Sequence, residues 1–178
     1  MTAPRVAIVY ESMFGNTASL AESVRAGLAD GGADVVIADV GLAWEQALAG
    51  CDLLVLGAPT HAFSLSRPGS RSEAVAQGAA PDHAALGLRE WLAALEEAGP
   101  VPVPRPSVAV FDTRVTKVRR LPGSAARSAA RRLRKAGFEV AAVESFYVDD
   151  TPGPVSPGEG DRARAWGHAL LRGVPAGR

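Results

Sequence analysis

Residues Tyr10 to Thr17 read YESMFGNT and follow directly on the apolar run Val6-Ala7-Ile8-Val9, with a helix-like stretch beginning near Ala18. A buried strand, a short loop bearing hydroxyls and a glycine, and a helix start together make an anion site. The first backbone N–H groups of a helix lack intrahelical partners and carry partial positive charge, so a phosphate fits between loop and helix. Ser12, Asn16 and Thr17 add side-chain donors, Met13 and Phe14 complete the loop, and Gly15 lets the backbone come close. The loop has no lysine and neither GxxxxGK[ST] nor GxGxxG spacing, which points to a monophosphate ahead of a triphosphate or pyrophosphate. Read without wider context, the same residues could form an ordinary strand-to-helix turn. Further along, Gly57-Ala58-Pro59-Thr60-His61-Ala62-Phe63 leaves a second apolar run with a hydroxyl, an imidazole and an aromatic ring, and Phe111-Asp112-Thr113-Arg114 leaves another.

The elements that must position these residues alternate in type. Short apolar, β-branched runs at Val6–Val9, Val35–Ala38, Leu53–Gly57, Val108–Phe111 and Val140–Val143 predict buried parallel strands. Between them, Leu20, Val24 and Leu28 share a helical face that stops at Gly31-Gly32. Leu88, Leu92 and Leu95 do so before Gly99-Pro100, and Ala125, Ala129 and Leu133 before Gly137. A last helix is expected from about Gly160 to Leu171. Five strands interleaved with about five helices make a doubly wound α/β sheet.

At 178 residues the chain suits a single domain, 1–178, with no repeat and no internal boundary. Nineteen basic and nineteen acidic residues cancel, so the net charge implies no global attraction to nucleic acid or anionic membrane. No run approaches the roughly 20 apolar residues of a membrane span, and the N-terminus lacks a signal-peptide layout, so a cytoplasmic protein is expected. The one cysteine, Cys51, excludes an internal disulfide and a CxxC site and reads as a small core residue. Three scattered histidines suggest no metal site.

YESMFGNT resembles the phosphate loop of flavodoxin-like proteins, where the 5′-phosphate of FMN lies in a T/S-x-T/S-G-x-T turn after the first strand. Ser12, Gly15 and Thr17 match, while Phe14 replaces the middle hydroxyl. The S-M-F/Y-G-N-T form is similar to the flavodoxin-like modules of flavodiiron proteins and quinone reductases. The resemblance implies a three-layer sandwich whose five-stranded parallel sheet has order 2-1-3-4-5 and helices on both faces. It also implies FMN at the C-terminal strand ends where strand order reverses, a rule for open α/β sheets of which flavodoxin is itself an example. Pro59, Thr60, His61, Ala62 and Phe63 resemble the G-x-P-T-x-x-F segment that lines the isoalloxazine, with Phe63 as an aromatic surface. His61 then either bonds the ring, relays a proton or faces solvent. Asp112, Thr113 and Arg114 would be the third ring loop, lacking the tyrosine that commonly stacks on the outer flavin face.

Residues 113–138 carry nine basic side chains and no acidic one. Arg127, Arg131 and Lys135 fit a solvated helix face. Arg114, Lys117, Arg119 and Arg120 precede that helix and are expected at the flavin end, where they would stabilise anionic reduced flavin or attract an anionic substrate or acidic partner. The segment has no interleaved aromatics to stack on bases, so a nucleic-acid partner is not expected. Ser64 to about Pro81, rich in glycine, proline and serine, predicts a mobile lid or docking loop with Arg67 and Arg71 available to an anion. Thr151 to Gly158 reads as a rigid connector without chemistry, and Glu11 as a helix cap or a solvated residue. The function expected is an FMN-binding redox protein that carries electrons between a donor and an acceptor, its partner a redox protein or a small molecule. The alternatives are an FMN-dependent oxidoreductase acting on a quinone or porphyrinogen-like substrate, and a noncatalytic binding module of the same fold.

Overall fold

A computed structural model describes residues 2–42, 49–99 and 104–174. Strands β1 (Arg5–Tyr10), β2 (Asp34–Asp39), β3 (Leu53–Pro59), β4 (Ser107–Val115) and β5 (Val140–Val148) form one sheet. Its order is β2-β1-β3-β4-β5, and every pairing is parallel. Among the described residues the α-helices are α1 (Asn16–Asp30), α2 (Pro68–Ala76), α3 (Leu88–Glu97), α4 (Ala125–Lys135) and α5 (Glu159–Leu170). The expected stop after α3 is met by Gly99 at φ 82°, whereas Pro100 lies outside the described residues.

Side chains alternate across a strand, so each central strand feeds two cores. Val6 and Ile8 of β1 pack with Val55, Phe111 and the apolar stripe Leu20, Val24 and Leu28 of α1. Ala7 and Val9 face the other way, into a core with Leu54, Leu56 and the Leu88, Leu92 and Leu95 stripe of α3. Helices thus cover both faces, and β1, β3 and β4 are buried nearly throughout. Where α1 meets α5 the backbones nearly touch. A Cβ on Gly27 would land on the Arg164 carbonyl, and one on Gly167 on that of Val24.

Three elements differ from the sequence expectation. β4 and β5 run on to Val115 and Val148, so Asp112, Thr113 and Arg114 are strand residues opposite Ser145, Phe146 and Tyr147. Their polarity reads as a loop, but β-branched and aromatic neighbours on both strands sustain the ladder. The expected lid is also not a loop. Residues Pro68–Ala76 form α2, with Pro68 at the first helical position and the Ser70 hydroxyl accepting from the Arg67 amide. This helix is fastened by an apolar cluster of Ala74 and Ala79 with Met13, and by Arg71, which is fully buried.

Candidate functional site

A cavity of about 330 Å³ opens at the C-terminal ends of β1, β3, β4 and β5, where the strand order reverses on either side of β1. That volume falls within the roughly 300–1,000 Å³ of small-molecule sites. At one end it is walled by Ser12, Asn16, Thr17, Thr113 and Thr151. All five are uncharged hydrogen-bonding side chains. Gly15 precedes α1 with φ 90°, the left-handed conformation that turns the loop into the helix. A Cβ there would meet nothing within 4 Å, so the glycine serves the turn and relieves no crowding.

The hydrogen bonds around this turn leave several of its donors unused. Ser12 Oγ accepts from the Ala18 amide at 3.2 Å, and the Gly15 carbonyl accepts from the Ser19 amide at 3.0 Å. The amides of Asn16 and Thr17, at the very start of α1, remain for an anion, as does the Ser12 proton. Thr17 Oγ1 and Thr113 Oγ1 lie 3.0 Å apart in the buried wall. One must donate to the other, and the second proton is then free.

The other end is formed by Pro59, Thr60, His61 and Ala62 together with Met13 and Phe14. His61 Nδ1 sits 3.0 Å from Ser70 Oγ of α2, and partial burial, assisted by the Arg71 charge, lowers its pKa below 6.5. At neutral pH the imidazole is therefore uncharged. Thr60 Oγ1 accepts from the Ala125 amide at 2.9 Å, which ties this loop to the first turn of α4.

Three residues expected at the ring do not line the cavity. Asp112 is fully buried, and its Oδ2 accepts from the Ala126 amide at 2.8 Å, capping α4. Arg114 is buried, and its guanidinium donates to the carbonyls of Val118 and Leu121, pinning the connection to α4. Both follow from the length of β4: alternation along an extended strand sends Thr113 to the cavity and its two neighbours away. Phe63 turns outward and is 45% exposed. Arg119 lies over the Tyr147 ring and likewise does not reach the cavity.

Behind the loop between β1 and α1 lies a buried polar cluster that the sequence did not announce. Glu11 Oε2 accepts from the Leu88 amide at 2.8 Å, so it caps α3 and faces neither α1 nor solvent. Burial pushes its pKa upward, partly countered by Ser66, the Leu88 amide and Arg71. Arg71 donates to Ser66 Oγ and the Ala84 carbonyl and pairs with Glu90 at 3.0 Å. It is therefore satisfied internally and is not available to an anion. Gly87 is required where these groups converge, because a Cβ would come within 3 Å of Arg71, Ser66 and Glu11.

Sequence reading missed four polar contributors to the wall: Ser70 and Glu73 of α2, Gln77 just after it, and Thr151 after β5. Thr151 follows a strand at its C-terminal end, the signal that identified the other loops. For α2 the available signal was a proline placed to open a helix, with alanines three and five residues after Arg71.

No family model matches the chain, and no curated protein matches it in sequence. Solved structures do match. A flavodoxin from the domain Archaea is 16% identical and superposes with a TM-score of 0.62, over 94% of this chain and 96% of that one. Oxidised Flavodoxin 2 from Bacillus cereus is 22% identical with a TM-score of 0.63, over 94% of this chain and 98% of that one. The flavodiiron protein from Giardia intestinalis is 13% identical with a TM-score of 0.56, over 94% of this chain but 35% of that one. The chain has the flavodoxin-like fold.

Proposed function

We propose that this chain is a single-domain, FMN-binding redox protein that passes electrons between a donor and an acceptor. The observation that carries this reading is the neutral cradle at the start of α1. Two amides at the start of α1, the Ser12 hydroxyl and the Thr17–Thr113 pair meet there, with no lysine or arginine in the cavity wall. Such a site suits a phosphate dianion held by fixed dipoles. The flavodoxin structures that share the fold support a flavin as the group behind that phosphate.

The residues present fit FMN. Ser12, Asn16, Thr17, Thr113 and Thr151 would take the phosphate end, and Pro59 to Ala62 with Phe14 would flank the ring. When bound, FMN supplies the one- and two-electron chemistry. The chain anchors, orients and shields. Thr60 and Ser64 lock the ring loop onto α4, and Ser70 holds His61 in the wall as a neutral imidazole that can give or take a hydrogen bond. That half-buried histidine also supports a second reading, an oxidoreductase for a quinone or porphyrinogen-like acceptor, because such acceptors need protons as well as electrons.

Titrating the purified protein with FMN and riboflavin tests the primary reading. FMN is expected to bind at least about tenfold more tightly, the least that one charged hydrogen bond contributes. Equal affinities would remove the phosphate argument, and no binding of either would leave a noncatalytic module of this fold. Steady turnover of a quinone with a nicotinamide donor would favour the second reading over a carrier.

A further inference from the structure

His61 to Ser64 form a two-residue turn, closed by the His61 amide to the Ser64 carbonyl at 2.9 Å and the reverse bond at 3.0 Å. Its central residues, Ala62 and Phe63, both have positive φ, 45° and 64°. Turns of this geometry ordinarily use Asn-Gly or Gly-Gly, since side chains disfavour that backbone region. Non-glycine residues persist there only when their surroundings impose it, and such strain marks functional segments. Here Ser64 Oγ is held 3.1 Å from Ser128 Oγ of α4, and His61 is held by Ser70.

What the strained turn achieves is the display of a phenylalanine. Phe63 neither enters the core nor lines the cavity, although His61 and Ala62 beside it do. Gly123 passes directly under it, since a Cβ on that glycine would come 2.9 Å from the Phe63 carbonyl and 3.2 Å from its Cβ. Two residues earlier stands Leu121, 47% exposed. Exposed cations flank the pair along the chain: Arg67 follows the turn that carries Phe63, Lys117 and Arg120 precede Leu121, and Arg127 adjoins the Ser128 that meets Ser64. Among the described residues none of the four makes an ion pair. An apolar centre with a charged rim is the anatomy of a protein interface, and a rim of one sign selects the opposite sign.

We propose that Phe63 and Leu121, with the rim of Arg67, Lys117, Arg120 and Arg127, form the docking surface for a redox protein whose own centre is ringed by carboxylates. The proposal rests on the FMN reading, because it places the partner at the edge of the cavity where the flavin ring would lie. A single displayed aromatic offers no ladder for stacked bases, which sets nucleic acid aside.

The haem domain of cytochrome b5, an acidic electron-transfer protein, serves as probe, and basic cytochrome c as reference. In a titration of isotope-labelled protein followed by amide shifts at low salt, the acidic probe is expected to perturb Phe63, Leu121, Arg120 and Arg127. Cytochrome c should perturb them little. The combined variant Lys117→Glu, Arg120→Glu, Arg127→Glu should lose at least about tenfold in affinity for the probe, with an unchanged FMN affinity. Phe63→Gly should also weaken docking, yet without a lower thermal midpoint, because glycine suits that backbone. Shifts located elsewhere, equal binding of cytochrome c, or an unchanged affinity in the triple variant would each overturn the proposal. So would tighter binding of the parent to phosphatidylserine vesicles or polyuridylate, lost in the same variant. The titration can be run without FMN, so a failure of flavin binding is seen separately from a failure of docking.

Discussion

Thr17 belongs to the wall and to the ligand site at once, because its hydroxyl bonds Thr113 while one proton of the pair is left for the cavity. Thr17→Val keeps the shape and removes that proton's source. FMN affinity should fall by roughly 1.5–3 kcal/mol, the range for a hydrogen bond to a charged group, with riboflavin affinity little changed. Parallel losses for both ligands would mean that the hydroxyl serves packing and not phosphate. Glu11 gives a prediction with a sign. Its pKa is raised above 4.5 chiefly by burial, so the folded chain keeps a proton that the unfolded chain releases, and stability falls as pH rises through that window. Glu11→Gln retains the acceptor for the Leu88 amide and removes the charge. Its stability relative to the parent should therefore rise as pH climbs above 4.5, as read from denaturant unfolding. Profiles that stay parallel would show Arg71 to compensate the carboxylate fully. Cys51, its pKa pushed up to about 11 by burial, should resist alkylation at pH 8 in the folded state, and rapid labelling there would contradict that burial. Ser12, Asn16 and Thr17 were legible because one contiguous loop carries them, whereas the roles of Glu11, Asp112 and Arg114 depend on helices that arrive from elsewhere in the chain.

At the scale of elements, legibility followed periodicity. The central strands and the α1, α3 and α4 stripes are strongly patterned, and they stand where the sequence put them. Helix α2 was hidden because its fastening is one buried arginine and a few alanines, a pattern that looks like loop composition. The ends of β4 and β5 were hidden because polar residues continue a ladder set by their neighbours. The α1–α5 contact makes the sharpest prediction here. Intrinsic propensity favours alanine over glycine in a helix by about 1 kcal/mol. Gly27 nevertheless lies against the Arg164 carbonyl, with no space for a Cβ. Gly27→Ala should therefore lower unfolding stability by roughly 1–3 kcal/mol, as overpacking does. An increase in stability would mean that α5 slides freely on α1.

For the molecule as a whole, zero net charge conceals a segregation: the connection from β4 through α4 is basic, and its balancing carboxylates lie on other elements. Among the described residues no helix is long and apolar enough to cross a membrane. Strand order was beyond periodicity and came only with the resemblance, since burial patterns say which strands are central and not which are neighbours. That order has an energetic consequence. The cavity draws its wall from the ends of β1, β3, β4 and β5, four of the five strands. A ligand seated there contacts loops that separate on unfolding, so it should bind the folded state alone. Saturation to a hundredfold above Kd then adds about 2.7 kcal/mol. For a domain of this size each kcal/mol moves the thermal midpoint by roughly 2–4 °C, so FMN at that level should raise it by about 5–11 °C. Riboflavin at equal concentration should do much less, because it lacks the group that spans α1 and β4. Calorimetric scans of the ligand-free protein with each compound test this directly. A midpoint indifferent to FMN would show that the four loops close around nothing of that kind, and an equal rise with riboflavin would place the binding energy in the ring and not in the cradle at α1.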